Sequence, residues 1–124
     1  MNARWWAAQA LLGQAAAIAI WWPMLWHVPA ARDWFLPQPY HSHEFDALVA
    51  PDLLVLSLAS AVAGVLALRG DRRAGAIALV TCGAALYATV YSIRWAHETG
   101  APLLSPLLMV ASAVVTIWCA RRLA

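Results

Sequence analysis

Charge is what this sequence has least of. Only 11% of its 124 residues are Asp, Glu, Lys or Arg, against about 25% in an ordinary soluble domain. With 64% of the chain hydrophobic, there is too little polar surface to cover the apolar mass in water. A soluble domain and a disordered chain are both excluded. Lysine is absent, every basic residue being arginine, and the net charge is only +2. That balance gives no basis for a nucleic-acid partner. Cysteine is scarce as well: Cys82 and Cys119 form no Cys-x-x-Cys pair, which excludes a disulfide scaffold and a paired-thiol oxidoreductase. Nucleophile elbows, phosphate-binding loops and zinc-protease signatures are also missing.

What the chain does have is long apolar runs. A helix crossing about 30 Å of hydrocarbon needs about 20 apolar residues, and four segments come close: 7–26, 51–68, 74–93 and 102–120. Their interiors hold no charge apart from Asp52, just inside the second. The length of the runs argues against a β-barrel, whose strands are short and alternating. The expected fold is therefore all-α: one integral membrane four-helix bundle over residues 1–124. Arg4, the first apolar run and Val28-Pro29-Ala30 together resemble a signal peptide. The run is too long for a typical h-region, so it is expected to be a retained span. Tryptophan crowds toward the expected span ends, where an indole sits best between hydrocarbon and headgroups.

The few charges are sorted. Arg4, Arg69, Arg72, Arg73, Arg121 and Arg122 fall at one end of the expected bundle with Asp71 as the only acid. The other end holds Arg32 and Arg94 with Asp33, Glu44, Asp46, Asp52 and Glu98. The positive-inside rule assigns the first end to the cytoplasm, so both termini are expected inside. The second and third spans are joined by only Arg69-Gly70-Asp71-Arg72-Arg73, which makes them an antiparallel hairpin. The outer loop between spans one and two is longer. Pro29, Pro37 and Pro39 predict that its first half is extended, and Ser42 is a candidate cap for a short interfacial helix running to Ala50.

In lipid, helices associate through small residues and polar bridges. Span one offers Gly13 and Ala17, with Gln9, Gly13, Ala16, Ile20 and His27 along a heptad-like stripe. Span two offers Ser60 and Gly64 with Ala59 and Ala63, and span three Gly83, Ala84 and Ala88. Span four carries Ser105, Met109, Ser112, Thr116 and Cys119 on one seam. These faces serve a four-helix bundle, and would equally serve a homo-oligomer or a membrane-protein partner. Cys82 and Cys119 are expected on the order of 10 Å apart in depth at 1.5 Å per residue, too far for a disulfide.

Two constellations could carry function, both at the outer end. Tyr87, Tyr91 and Arg94 are spaced i, i+4, i+7 and share a helix face, with Asp52 at similar depth on span two. An Asp52–Arg94 pair would neutralise two charges that are costly at the membrane edge. The same residues would line an outward polar pocket for an anionic headgroup or another small amphiphile. Pro51-Asp52 also reads simply as a helix start, with an acid favoured by the dipole. The second constellation is His41-Ser42-His43-Glu44-Phe45-Asp46. In an extended segment His41 and His43 point the same way, so with Glu44, and with His27 or His97, they would suit zinc or copper. A solvated polar loop explains the same residues more simply, and no cofactor is expected.

Other small four-span activities fit poorly. A proton-coupled multidrug exporter needs a carboxylate inside span one, which has Gln9 and Gln14 instead. Haem ligation calls for histidines within spans, and only His27 comes near. A transporter would need a mid-membrane ionisable group to couple to ions.

Pro51-Asp52-Leu53-Leu54, Tyr87-Ala88-Thr89-Val90-Tyr91, Thr99-Gly100 and Pro106-Leu107-Leu108-Met109 form a pattern spanning about residues 34–109. It resembles small four-span membrane proteins or modules of high-GC bacteria, some associated with isoprenylcysteine-methyltransferase-like enzymes. The resemblance implies a helical bundle in a bacterial inner membrane and assigns no catalytic residue, since no cofactor motif of those enzymes is present. The expectation is a non-enzymatic accessory or interaction subunit, or a binder of a lipid-like ligand in the outer pocket. The alternative is a small membrane enzyme or metal-handling protein using the outer His and acid cluster.

Overall fold

In the computed structural model, which describes residues 2–35 and 49–124, four long helices and one short one carry the chain. They are α1 (Ala3–His27), α2 (Pro29–Arg32), α3 (Val49–Leu68), α4 (Arg73–Thr99) and α5 (Leu104–Leu123). The four long ones are long and apolar enough to cross a membrane, at roughly 30–40 Å each. No strand occurs among the described residues. The protein is a multi-pass four-helix membrane bundle.

Local chemistry sets the helix ends. The Asn2 side chain accepts from the Trp5 amide, 2.9 Å, and opens α1. Near its other end Pro23 removes one backbone donor. The last carbonyls of α1 are met by Arg32, whose Nε donates to Leu25 O (2.6 Å) and Nη2 to Trp26 O (3.0 Å). The span of α3 begins with a π-helical stretch, Asp52–Ser57, before becoming regular. It ends in a Schellman turn: Gly70 adopts φ 73°, its amide donates to Ala67 O, and the Asp71 amide donates to Leu66 O. Asp71 Oδ1 then accepts from the Arg73 amide at 2.8 Å, opening α4 within two residues. Gly100, with φ 67°, closes α4 in the same left-handed conformation.

The long helices form a ring in which α1 packs on α3, α3 on α4, α4 on α5, and α5 back on α1. At the arginine-rich end the core is mostly alanine. Ala7, Ala8 and Leu11 meet Ala63 and Ala67, Ala74 and Ala78, and Cys119, Ala120 and Leu123. The opposite end is filled by Trp22, Leu25, Ala31 and Phe35, with Trp95 and Leu53 packed against them. Small side chains at one end allow close backbone approach. A Cβ on Gly75 would come within 2.7 Å of Leu123 O, and one on Gly64 within 2.7 Å of the Leu12 side chain.

Several expectations need correction. The stripe of Gln9, Gly13, Ala16 and Ile20 faces outward, as does Ala17, and nothing lies within 4 Å of a Cβ on Gly13. The packed face of α1 is instead Ala7, Ala8, Leu11, Ala15, Trp22 and Leu25. Gly83 is likewise exposed, and α4 packs through Ala74, Ala78, Thr81, Ala85 and Thr89. Pro29 does not enforce extended chain: it occupies the first turn of α2, where its missing N–H costs nothing. Pro37, Pro39 and the proposed helix from Ser42 lie outside the described residues apart from Val49 and Ala50, which open the described part of α3. The helix α4 continues past the apolar run 74–93 to Thr99, because no breaker precedes Gly100 and Arg94 and Glu98 pair one turn apart.

Candidate functional site

At the end away from the arginine cluster, the last turns of α4 carry three of the four residues expected to form an outward site. A continuous helix puts Tyr87, Tyr91 and Arg94 on one face. That face is turned away from the bundle: Tyr87 is 75% exposed and Tyr91 38%. Tyr91 stacks on Trp95 with the rings 15° from parallel and their centroids 6.4 Å apart. Arg94 Nε donates to Glu98 Oε1 at 2.7 Å, with both side chains largely exposed.

Asp52 does not join them. It is half-buried at the start of the π-helical stretch of α3, and its carboxyl is met by the indole of Trp22 from α1. The guanidinium of Arg94 is engaged with Glu98 rather than Asp52. The physical reason is reach: Glu98 sits one helical turn away on the same face, whereas Asp52 is turned toward α1. The structure thus unites Tyr87, Tyr91 and Arg94 as a surface and leaves Asp52 in the α1–α3 contact.

His41, His43 and Glu44 lie outside the described residues. Among the described residues no group of three or more His, Cys, Asp or Glu is placed to hold a metal ion.

A second polar constellation sits in the middle of the bundle. Gln14 Nε2 donates to Ser60 Oγ at 3.0 Å, and Gln14 Oε1 accepts from Ser112 Oγ at 3.1 Å, with Thr116 Oγ1 3.3 Å away and donating at 2.6 Å to Ser112 O. One amide therefore joins α1, α3 and α5. Ser57 Oγ donates to Ala15 O at 2.9 Å, and the Thr89 hydroxyl is shared between Ala85 O on its own helix at 2.7 Å and Met109 O on α5 at 3.0 Å. Thr81 and Ser92 return their protons to carbonyls one turn back on α4. Without water, each of these groups must find a protein partner, most of them across a helix contact and Thr81 and Ser92 within α4 itself. The seam Ser112-Thr116 read from span four is half of this node. Gln14 itself was visible in the sequence as an amide in an apolar run, but its role depended on knowing which face of α1 turns inward.

The two thiols are both free. Cys119 is buried with Sγ 3.5 Å from Ala7 O, and Cys82 is half-buried on α4. The node and the thiols can hold helices together, but no general base stands beside a nucleophile in them.

Compared with known protein families, curated proteins and solved structures, the chain matches none.

Proposed function

We propose that this protein is a non-enzymatic interaction subunit of a bacterial inner membrane that meets a second membrane protein through the outer end of α4. The observation that carries this reading is how its polar groups are divided. Those inside the bundle, Gln14, Ser57, Ser60, Thr89, Ser112 and Thr116, are occupied in bonds to protein, four of them to other helices and the two threonines mainly to their own. Those turned outward at the far end of α4 include two tyrosines and an arginine, residue types enriched at protein contacts, beside His97 and Glu98. An enzyme or a ligand pocket calls for the opposite arrangement, with reactive groups pointing into an enclosed space. A lipid-like ligand held between Asp52 and Arg94 is a weaker reading, because the two side chains face different neighbours.

The proposed topology puts the arginine-rich end in the cytoplasm. At that end the first turns of α1 and α4 and the last turns of α3 and α5 share one core. Arg4, Arg69, Arg72, Arg73, Arg121 and Arg122 therefore lie together, and the positive-inside rule draws them inward. The resemblance to small four-span proteins of high-GC bacteria supports the same membrane.

Site-specific photo-crosslinking in native membranes tests the interface. A photoreactive residue at Tyr87 is expected to give a discrete adduct with another membrane protein. The same group at Val80, on the same face but toward the other end, is expected to give none. Lipid adducts alone from both positions would overturn the interaction reading, and an adduct with a second copy of the chain would replace the accessory subunit by a homo-oligomer.

A further inference from the structure

On α3, Ala61, Val62, Val65 and Leu66 line a shallow apolar groove of about 330 Å³, with Arg69 the lining residue nearest the end of the helix. The lining positions run about two turns along the helix, some 12 Å at 1.5 Å per residue. All four apolar positions lie within the span Val49–Leu68, and Arg69 is the first residue beyond it. The groove therefore sits at hydrocarbon depth with its cationic end at headgroup depth. Val62 and Val65 are open to the surroundings, so the strip faces lipid rather than another helix of the bundle.

The electrostatics at that end are one-sided. Arg69, Arg72 and Arg73 are all exposed there, and Arg4, Arg121 and Arg122 lie at the same end. The single acid among them, Asp71, directs Oδ1 at the Arg73 amide. The Arg69 backbone is held by the Schellman turn, its amide donating to Val65 O at 3.1 Å, which fixes where this exposed arginine leaves the helix beside the groove.

We infer that this groove is a binding site for an anionic phospholipid, with one acyl chain along Ala61, Val62, Val65 and Leu66 and the phosphate at Arg69. A zwitterionic lipid offers the same chains and phosphate, but brings a cationic group into a field of six arginines. Basic pockets beside membrane helices select anionic headgroups for this reason. The site lies at the opposite end from Tyr87 and does not depend on the partner proposed there.

Native mass spectrometry of the delipidated full-length protein, titrated with phosphatidylglycerol or phosphatidylcholine of identical chains, tests it. Phosphatidylglycerol is expected to bind at least about fivefold more tightly, the scale of one arginine near a charged surface. Arg69→Gln should remove about fivefold, Arg69→Lys should retain most of the preference, and Arg122→Gln should change it less than about twofold, its guanidinium lying over Trp118 instead. Val62→Trp, which fills the groove without touching charge, should weaken both lipids. Unchanged helical content by circular dichroism shows that each variant is folded. Equal binding of the two lipids, equal losses in Arg69→Gln and Arg122→Gln, or undiminished binding by Val62→Trp would each overturn the site.

Discussion

Ser112 Oγ donates to Gln14 Oε1 across 3.1 Å, joining residues 98 positions apart in the chain. The bond ties α5 to α1 halfway along α1, and the same amide reaches Ser60 on α3. One side chain thus holds three helices in register.

Replacing Gln14 by Leu should destabilise the bundle by about 1 kcal/mol, since interhelical hydrogen bonds in membranes average about 0.6 kcal/mol each and those to Ser60 and Ser112 are lost. Gln9→Leu, on the exposed face, should not destabilise it. Unfolding titrations in mixed micelles with sodium dodecyl sulfate give both values. Equal effects of the two substitutions would show that the node does not hold the helices.

The glycines divide by what a methyl group would meet. Gly75→Ala pushes against the Leu123 backbone and should cost about 1–3 kcal/mol, as overpacking does. Gly83→Ala meets open space and should stabilise α4 by about 0.5–1 kcal/mol through helix propensity. Thermal denaturation of the purified variants should show opposite signs.

Arg4 closes the arginine-rich end by donating from Nε to Ala67 O at 3.1 Å and from Nη2 to Asp71 O at 2.6 Å. These carbonyls belong to the C-terminal turn of α3 and the loop after it, where a cation also suits the helix dipole. Arg4→Gln should cost about 1 kcal/mol, a charge-assisted pair of bonds discounted for its partial exposure. Hydrogen exchange should speed up at the amides of Gly70 and Asp71 while the Trp22–Phe35 end is unchanged.

A double-mutant cycle distinguishes the partners of Arg94. Arg94→Gln with Glu98→Gln should show coupling of about 0.3–0.5 kcal/mol, the worth of an exposed i,i+4 pair. Arg94→Gln with Asp52→Asn should be additive, because the two side chains face different neighbours. Coupling above about 1 kcal/mol in the second cycle would restore the Asp52–Arg94 pair.

A fluorescent protein fused after Ala124 should be bright, and alkaline phosphatase at the same point inactive, if the arginine-rich end is cytoplasmic. The reverse pattern would invert the proposed topology.

Much of the architecture was legible because it rests on quantities that a chain carries without folding. Four apolar runs of membrane-crossing length determined four helices, and the five-residue Arg69–Arg73 linker determined the α3–α4 hairpin. The division of charge between ends followed from alternating direction. The seam Ser112-Thr116-Cys119 was readable too, since on α5 it is the polar stripe.

The inward face of α1 was not readable. That helix is apolar all round, so its sequence has no contrast to mark a buried side, and a stripe containing Gly13 looked as good as one containing Leu11. For the same reason Gly75 and Gly83 were indistinguishable in sequence, one pressed against Leu123 and the other open. Reach was equally hidden: Tyr87, Tyr91 and Arg94 shared a face by helical spacing alone, but whether Asp52 joined them depended on how α3 is rotated in the bundle.

Composition and run length by themselves determined that the chain is a membrane protein with four helices, because insertion responds to summed apolar length. Only the tertiary structure decided which residues of those helices touch. In lipid both faces of a helix can be equally apolar, so close packing and the pairing of a few polar groups, Gln14 above all, choose between them.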